Sequence, residues 1–428
     1  MPSSATMPLH RTSGRVAGVV GHEVDIRGLR LRVGDAVSID TAGGRRPGEV
    51  IAVAGDAARA MVLGRTEGIG RGDRVEVRRG GWGTIVGENL IGRVIDPFGN
   101  PLDGGPKPTG EIVGVEGEVP TPLTRQRIDQ VLPVGVRLID LLCTLGKGQR
   151  VGLVGGSGVG KSTLMGMMAR GTSADIVVLA LVGERGREVR EMIEDELGPE
   201  GMERAVVVVA TSDQPPLLRL RAGLVATRIA EWFADAGNDV LLMVDSLTRL
   251  AMAQREVGLA AGEPPTARGY TPSVFDLLPR LLERAGPRAN GTVTAVYTVL
   301  VEADNHNDPI ADAARGILDG HLVLDRRLAV AGRYPALDPL GSLSRLADKL
   351  VGPDRVRLTV AARSALAAAE EVRDLVEVGA YVPGTNPAAD RGLRLSPQLI
   401  ELFRQRPEEA SDFDEAWARL EGIVGGET

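Results

Sequence analysis

A phosphate-binding loop motif is the first candidate for chemistry in this chain of 428 residues. Residues 155–162 read Gly-Gly-Ser-Gly-Val-Gly-Lys-Ser and match the pattern G-x-x-x-x-G-K-[ST]. The glycines allow the backbone to curl so that successive N–H groups point at an anion. Lys161 supplies a positive charge for the outer phosphates of a nucleotide, and Ser162 offers a hydroxyl to Mg²⁺.

The segments on both sides of this motif favour nucleotide binding over a chance glycine-rich turn. The apolar run 149–154 predicts a strand, and residues 162–170 predict a helix. The N-terminus of that helix would face the phosphates, where its free N–H groups attract an anion.

Two carboxylates farther along could turn binding into hydrolysis. Asp245 ends the apolar run 240–245, where it could hold Mg²⁺ or simply cap the next helix. Glu184 follows the predicted strand 175–182 and would reach the same sheet edge as the phosphate loop, where it could polarise a water. Arg185 beside it could contact the outer phosphate. The run Glu-Arg-Gly-Arg-Glu is equally typical of a solvated helix start, and the spacing alone does not decide.

Phosphoryl transfer also needs a further cation against the charge on the equatorial oxygens, often an arginine from a neighbouring subunit. Arg345 is a candidate for this role. Because most of the 50 basic residues are arginines, the pattern alone does not select it.

The composition limits the classes of function. The 50 basic and 57 acidic residues give a formal net charge of −7, and only 3% of residues are aromatic, so we expect no nucleic-acid partner. Cys143 is the only cysteine, which excludes an internal disulfide. No apolar run approaches the ~20 residues that cross a bilayer, and the first 14 residues have no hydrophobic core of the kind that directs export. We expect a cytoplasmic protein, at most peripheral at the cytoplasmic face of the inner membrane.

The pattern along the chain predicts an α/β protein in three parts. Short apolar runs over 15–80 predict a small β-barrel, and a linker dense in Gly and Pro follows over about 87–122. Alternating strands and helices from about residue 149, including a helix over 187–197, indicate a largely parallel sheet. Residues 355–428 read as helices. We place the domains at 1–85 (barrel), 86–348 (nucleotide-binding) and 349–428 (helical).

Long segments resemble known families. Residues 335–344 resemble a signature shared by the α and β subunits of rotary ATPases. Residues 245–275, together with 183–189, more narrowly resemble the flagellum-specific export ATPase and its injectisome relatives in type III secretion. The resemblance runs from about Gly14 to the C-terminal helices. It implies a RecA-like P-loop ATPase core with an N-terminal small β-barrel and a C-terminal helical domain, assembled as a homohexameric ring.

The resemblance also implies roles for single residues, with ATP as the nucleotide and Mg²⁺ as its metal. Glu184 becomes the catalytic carboxylate, Asp245 the Walker-B acid and Arg345 an arginine finger that acts on the neighbour's ATP. Arg185 would contact the outer phosphate. The phosphates would be held by Gly155, Gly156, Ser157, Gly158, Val159, Gly160, Lys161, Ser162 and Thr163, and the metal by Ser162 and Asp245. Tyr334 would stack on adenine, and Tyr381 would close the same pocket.

The function implied by the resemblance is an ATP-hydrolysing motor of flagellar type III protein export. Its partners would be export-apparatus regulator and stalk-like proteins, chaperones and unfolded substrates at the inner-membrane export gate. An injectisome ATPase is the alternative. Three other functions are disfavoured. Residues 245–275 argue against a catalytic subunit of a rotary proton-translocating ATP synthase, and Glu184 argues against a non-catalytic ring subunit, in which Gln is typical at this position. The acidic composition argues against an RNA-translocating hexamer.

Two features depart from the family pattern. Relatives often carry an amphipathic helix before the barrel, whereas Pro2 and Pro8 disfavour a helix in the segment before Arg15, which puts the usual docking of a regulatory partner in question. Asn305 stands where relatives tend to carry a second aspartate; the change either alters metal handling or has no consequence. His306 in the same loop is expected to face solvent.

Overall fold

A closed β-barrel forms the first domain. The computed structural model describes residues 13–117, 119–121, 123, 125–301 and 308–425, so the segment with Pro2 and Pro8 and the loop with Asn305 and His306 lie outside the described residues. The barrel strands are β1 (Ser13–Val20), β2 (Glu23–Arg27), β3 (Ala36–Thr41), β4 (Gly44–Ala54), β5 (Ala57–Val62) and β6 (Arg74–Val77). They close antiparallel in the order β1-β2-β5-β4-β3-β6. Alternate residues such as Val24 and Ile26 fill the interior, as the two-residue period of a strand requires.

The predicted linker and the residues just before it contain strands that the sequence did not indicate. β7 (Thr84–Val86) pairs with β9 (Glu111–Val113), while β8 (Arg93–Ile95) joins the edge of the central sheet by parallel pairing with residues 206–208. The linker prediction is therefore wrong at β9 and, at the edge of the central sheet, at β8. The three residues of β8 stand between Gly92 and the pair Asp96-Pro97, and such surroundings are typical of loops.

A mostly parallel sheet forms the centre of the second domain. Its further strands are β10 (Arg150–Gly155), β11 (Ile176–Glu184), β12 (Ala205–Thr211), β13 (Asp239–Asp245), β14 (Gly286–Pro287), β15 (Thr292–Leu300), β16 (Gly320–Val323) and β17 (Leu343–Ser344). The order is β17-β16-β10-β15-β13-β11-β12-β8, with β14 antiparallel to β15 and β17 antiparallel to β16. All nine residues of β11 are buried, because helices cover both faces of the sheet.

The helices of this domain follow the strands in alternation. They are α1 (Arg137–Leu142), α2 (Lys161–Gly171), α3 (Gly186–Glu191), α4 (Gly198–Met202), α5 (Pro216–Asp235), α6 (Leu247–Ala261), α7 (Pro272–Leu282), α8 (Pro309–Ile317) and α9 (Arg326–Val330). The single helix expected over 187–197 is divided into α3 and a π-helix, Met192–Leu197. Apolar periodicity does not register the wider turn of a π-helix, which often accompanies a functional site.

Helices alone form the C-terminal part of the described chain. They are α10 (Ala347–Glu371), α11 (Arg373–Glu377), α12 (Pro387–Phe403) and α13 (Phe413–Val424). The buried Arg137 of α1 joins them to the central domain, since its Nε donates to the carbonyl of Leu402 at 2.6 Å. The predicted fold class is confirmed: a barrel, an α/β nucleotide-binding core and a helical domain. Among the described residues, we find no helix with the length and apolar character to span a membrane.

Candidate active site

The phosphate loop lies at the carboxyl end of β10, in the middle of the sheet. The φ angles of Gly158 (76°) and Gly160 (92°) are left-handed, which favours glycine at both positions. A Cβ placed on either residue would meet no atom within 4 Å, so the space above the loop is open. The first N–H groups of α2 have no partner within the helix and are available to this space. The loop therefore has the shape and the donors of an anion site.

Lys161 and Asp245 form an ion pair at this end of the sheet. Lys161 Nζ lies 2.5 Å from Asp245 Oδ1, and the two side chains are only 12% and 4% exposed. Thr298 Oγ1 donates to the same carboxylate oxygen at 2.6 Å. Ser162, the next residue of α2, is exposed. The site thus gathers one cation, one carboxylate and one accessible hydroxyl beside the phosphate loop.

Glu184 ends β11, the strand next to the one that carries Asp245. Arg249 clamps its carboxylate, with Nε 3.0 Å from Oε1 and Nη2 3.4 Å from Oε2. Burial raises the pKa of Glu184 to about 7, and the negative charge of Asp245 adds to the rise, while Lys161 and Arg249 oppose it. A hydrogen bond with Glu184 lowers the pKa of Glu188. A carboxyl group that titrates near neutral pH is suited to act as a general base.

Arg185 is not drawn into this cluster. Its side chain is 72% exposed, and Nη1 lies 3.6 Å from Glu188 Oε1. The structure therefore brings Glu184, Lys161 and Asp245 together and leaves Arg185 at the surface beside them.

Tyr334 lines an apolar pocket between the central and helical domains. The pocket also contains Leu138, Leu328, Pro335, Ile400 and Phe403. Tyr334 is 49% exposed, and its main-chain carbonyl accepts a hydrogen bond from the N–H of Gln405 at 3.0 Å. Arg326, at the start of α9, reaches the phosphate loop and donates to the Ser157 carbonyl at 2.9 Å.

Tyr381 is not among the residues that line this pocket. Its hydroxyl donates to Asp390 Oδ1 at 2.9 Å within the helical domain. The structure thus gives no contact that joins Tyr381 to Tyr334 among the described residues.

Arg345 lies at the amino ends of the parallel strands, whereas the phosphate loop lies at their carboxyl ends. β17 runs antiparallel to β16, and the Arg345 N–H donates to the Asp319 carbonyl, which is level with Arg150 at the start of β10. The loop begins at Gly155, five residues along β10, which corresponds to about 17 Å. The exposed Arg345 side chain is therefore too far to reach the phosphate loop of its own subunit.

Comparisons with known proteins agree with this architecture. Residues 135–344 match the model of the ATP synthase alpha/beta family, nucleotide-binding domain, and residues 16–78 match the beta-barrel domain of that family. Residues 351–422 match the T3SS EscN ATPase C-terminal domain. The chain is 47% identical to the flagellum-specific ATP synthase of Bacillus subtilis, over 98% of this chain and 96% of that protein. The chain belongs to the family of flagellum-specific and type III secretion ATPases.

Relatives from type III secretion systems are nearly as similar to this export ATPase. The type 3 secretion system ATPase of Xanthomonas euvesicatoria is 44% identical over 98% of this chain and 96% of that protein. The assembled ATPase EscN from the type III secretion system of enteropathogenic E. coli superposes with a TM-score of 0.91 at 41% identity. That match covers 96% of this chain and 100% of EscN.

Arg249 is the residue of this export ATPase site that the sequence reasoning missed. It stands four residues after Asp245, in the first turn of α6, where a side chain faces the same sheet edge. The spacing from Asp245 could have identified Arg249 as a residue of the site. The pairing of Arg249 with Glu184 could not have been predicted in this way, because 65 residues separate the two in the chain.

Proposed function

We propose that this chain is the ATP-hydrolysing motor of a flagellar type III protein export apparatus. The observation that carries the proposal is the cluster of Lys161, Asp245 and Glu184 beside an open phosphate loop. The motor would couple hydrolysis to the release of export substrates from their chaperones and to delivery at the inner-membrane export gate. We place its domains at 1–85, 86–348 and 349–428.

An injectisome role is the second candidate, since the Xanthomonas relative and EscN carry type III secretion names at similar identity. The neighbouring genes would separate the two roles: flagellar structural genes favour the first, and needle-complex genes the second. A rotary ATP synthase subunit is disfavoured because residues 351–422 match the C-terminal domain of type III secretion ATPases.

ATP would bind with its phosphates over the loop 155–163. Lys161 would turn from Asp245 to the outer phosphates, because a polyphosphate offers more negative charge than one carboxylate. The Ser162 hydroxyl and the Asp245 carboxylate are hard oxygen donors that suit Mg²⁺, which neutralises charge on the phosphate oxygens when bound. Tyr334 would stack on the adenine; Tyr381 would need the helical domain to move before it could contribute.

Hydrolysis would depend on Glu184, which would orient the attacking water and accept its proton. The clamp by Arg249 holds the carboxylate in one orientation and thereby reduces the cost of reaching the reactive geometry. Arg185 is exposed beside Glu184 and could turn to the outer phosphate. Arg345 would supply the remaining positive charge from the adjoining subunit.

A homohexameric ring would bring Arg345 to the neighbour's phosphate loop. Support comes from the solved structure of assembled EscN in complex with its central stalk EscO, which matches at a TM-score of 0.90 and 40% identity. We propose the same kind of assembly here, with a stalk-like partner and an export-apparatus regulator.

Replacing Lys161 by alanine tests nucleotide binding directly. We expect Lys161→Ala to lower ATP turnover by about 100-fold or more, because the outer phosphates lose their main countercharge. The measurement is steady-state phosphate release together with equilibrium binding of Mg-ATP. Lys349→Ala, on the exposed surface of α10, is the control and should behave like the wild type. Wild-type turnover by Lys161→Ala would remove the basis of the proposal.

The raised pKa of Glu184 predicts the pH dependence of turnover. Below pH about 7 the carboxyl is mostly protonated and unable to accept a proton from water, so kcat should fall with decreasing pH. Arg249→Gln removes a charge that lowers this pKa and should shift the acid limb to higher pH. The measurement is kcat at saturating Mg-ATP between about pH 5.5 and 9. A flat profile over that interval would contradict the role of Glu184.

A further inference from the structure

A side-chain hydrogen bond joins the phosphate-binding helix to the π-helix. Thr163 Oγ1 donates to Glu196 Oε1 at 2.7 Å, and both residues are half-buried. Thr163 is the third residue of α2 and follows Ser162 directly. Glu196 therefore places a carboxylate next to the first turn of the helix that would face the phosphates.

Tight packing keeps Glu196 in this position. A Cβ placed on Gly166 of α2 would lie 2.8 Å from the Glu196 carbonyl oxygen and 2.9 Å from its Cβ. Only glycine permits so close an approach of the two helices. Met192 and Leu197 are buried on either side of Glu196 and anchor the π-helix in the core. The backbone and Cβ of Glu196 are therefore fixed beside α2, and from there the side chain reaches the Thr163 hydroxyl.

The Thr163 hydroxyl has one proton and can donate it to one acceptor at a time. A hydrogen bond to an ionised carboxylate is roughly twice as strong as one between neutral groups. While Thr163 donates to Glu196, its hydroxyl cannot donate to a phosphate. The negative charge of Glu196 also opposes the arrival of a polyanion. Both effects would weaken the binding of ATP and ADP.

We infer that Glu196 is a positioning residue that lowers the affinity of this site for nucleotides by holding the Thr163 hydroxyl away from the phosphates. This inference rests on the proposed function. Weaker binding serves a motor that must release ADP in every cycle, because product release limits turnover in many enzymes. The Thr163 main-chain N–H remains available to the nucleotide.

The decisive variant is Glu196→Gln. Glutamine has nearly the same shape, and its NH₂ can donate to Thr163 Oγ1, which frees the hydroxyl proton for a phosphate. We expect the Kd for Mg-ADP to fall by about three- to tenfold, where tenfold corresponds to about 1.4 kcal/mol. The KM for Mg-ATP should fall in the same direction. Glu194→Gln is the matched control, because it removes the same charge from an exposed residue of the π-helix that pairs with Arg190 at 2.9 Å. Its Kd should stay within about twofold of the wild type.

A second variant keeps the test open if Glu196→Gln folds poorly. Glu196→Ala keeps the Cβ that packs on Gly166 but removes the carboxylate, so it frees the Thr163 hydroxyl and should also lower the Kd for Mg-ADP by about three- to tenfold. In the Thr163→Val background, Glu196→Gln should have a smaller effect than in the wild type. An unchanged or higher Kd for Glu196→Gln and Glu196→Ala would overturn the inference, as would an equal decrease in Glu194→Gln or an undiminished effect of Glu196→Gln in the Thr163→Val background. If the wild type binds no nucleotide, the proposed function fails instead.

Discussion

Glu184→Gln is expected to lower the rate of ATP hydrolysis by about 10²–10⁴-fold and to leave Mg-ATP binding intact. Glutamine fills the same space and still accepts a hydrogen bond from Arg249, but it cannot take a proton from the attacking water. The structure places this carboxylate beside Asp245 and Lys161. Because glutamine has nearly the same shape as glutamate, the substitution removes the acid–base group without opening a cavity. The measurement is single-turnover phosphate release and equilibrium binding on the same preparation.

Glu191→Gln is the matched control for this variant. Glu191 lies at the end of α3 and pairs with Arg187 at 2.5 Å on the surface, so its loss should leave the rate unchanged. If Glu184→Gln hydrolyses ATP at the wild-type rate, the assignment of the catalytic carboxylate is wrong. If it loses binding as well, the residue supports the fold of the site and not the chemical step.

Mixing the Arg345→Ala and Lys161→Ala chains is expected to restore hydrolysis that neither chain shows alone. An Arg345→Ala subunit keeps an intact phosphate loop, and a Lys161→Ala neighbour can lend it an intact arginine. With random mixing at equal amounts, about one quarter of the clefts would contain both intact parts. The expectation follows from the position of Arg345, which lies at the amino ends of the parallel strands, away from the phosphate loop of its own subunit.

The measurement is steady-state ATPase activity of each chain and of the mixture after joint refolding or co-expression. Arg357→Ala removes an exposed arginine of α10 that pairs with Asp354, and should be fully active alone. Wild-type activity per subunit should also rise with protein concentration as rings form. A mixture as inactive as its components, or full activity in an isolated subunit, would rule out an arginine shared between subunits.

The phosphate loop and the general fold class could be predicted from the sequence because both depend on local patterns. The loop is a run of consecutive residues, and its glycines, Lys161 and Ser162 have their roles by adjacency. Asp245 was a candidate because a carboxylate at the end of an apolar strand lies at the same sheet edge as the loop. The edge strand β8 was missed, because three residues among glycines and prolines carry too little periodicity to predict a strand.

Three relations in the site were decided by the tertiary structure alone. The Arg249 clamp on Glu184 spans 65 residues, and the bond from Thr163 to Glu196 spans 33 and passes through a π-helix. The distance of Arg345 from its own phosphate loop follows from the antiparallel direction of β17. Residues far apart in the chain meet only through strand order, register and helix packing, and no local pattern encodes these. The sequence by itself therefore determined which groups could act on a nucleotide, and the packing of the sheet and helices decided which of them act together.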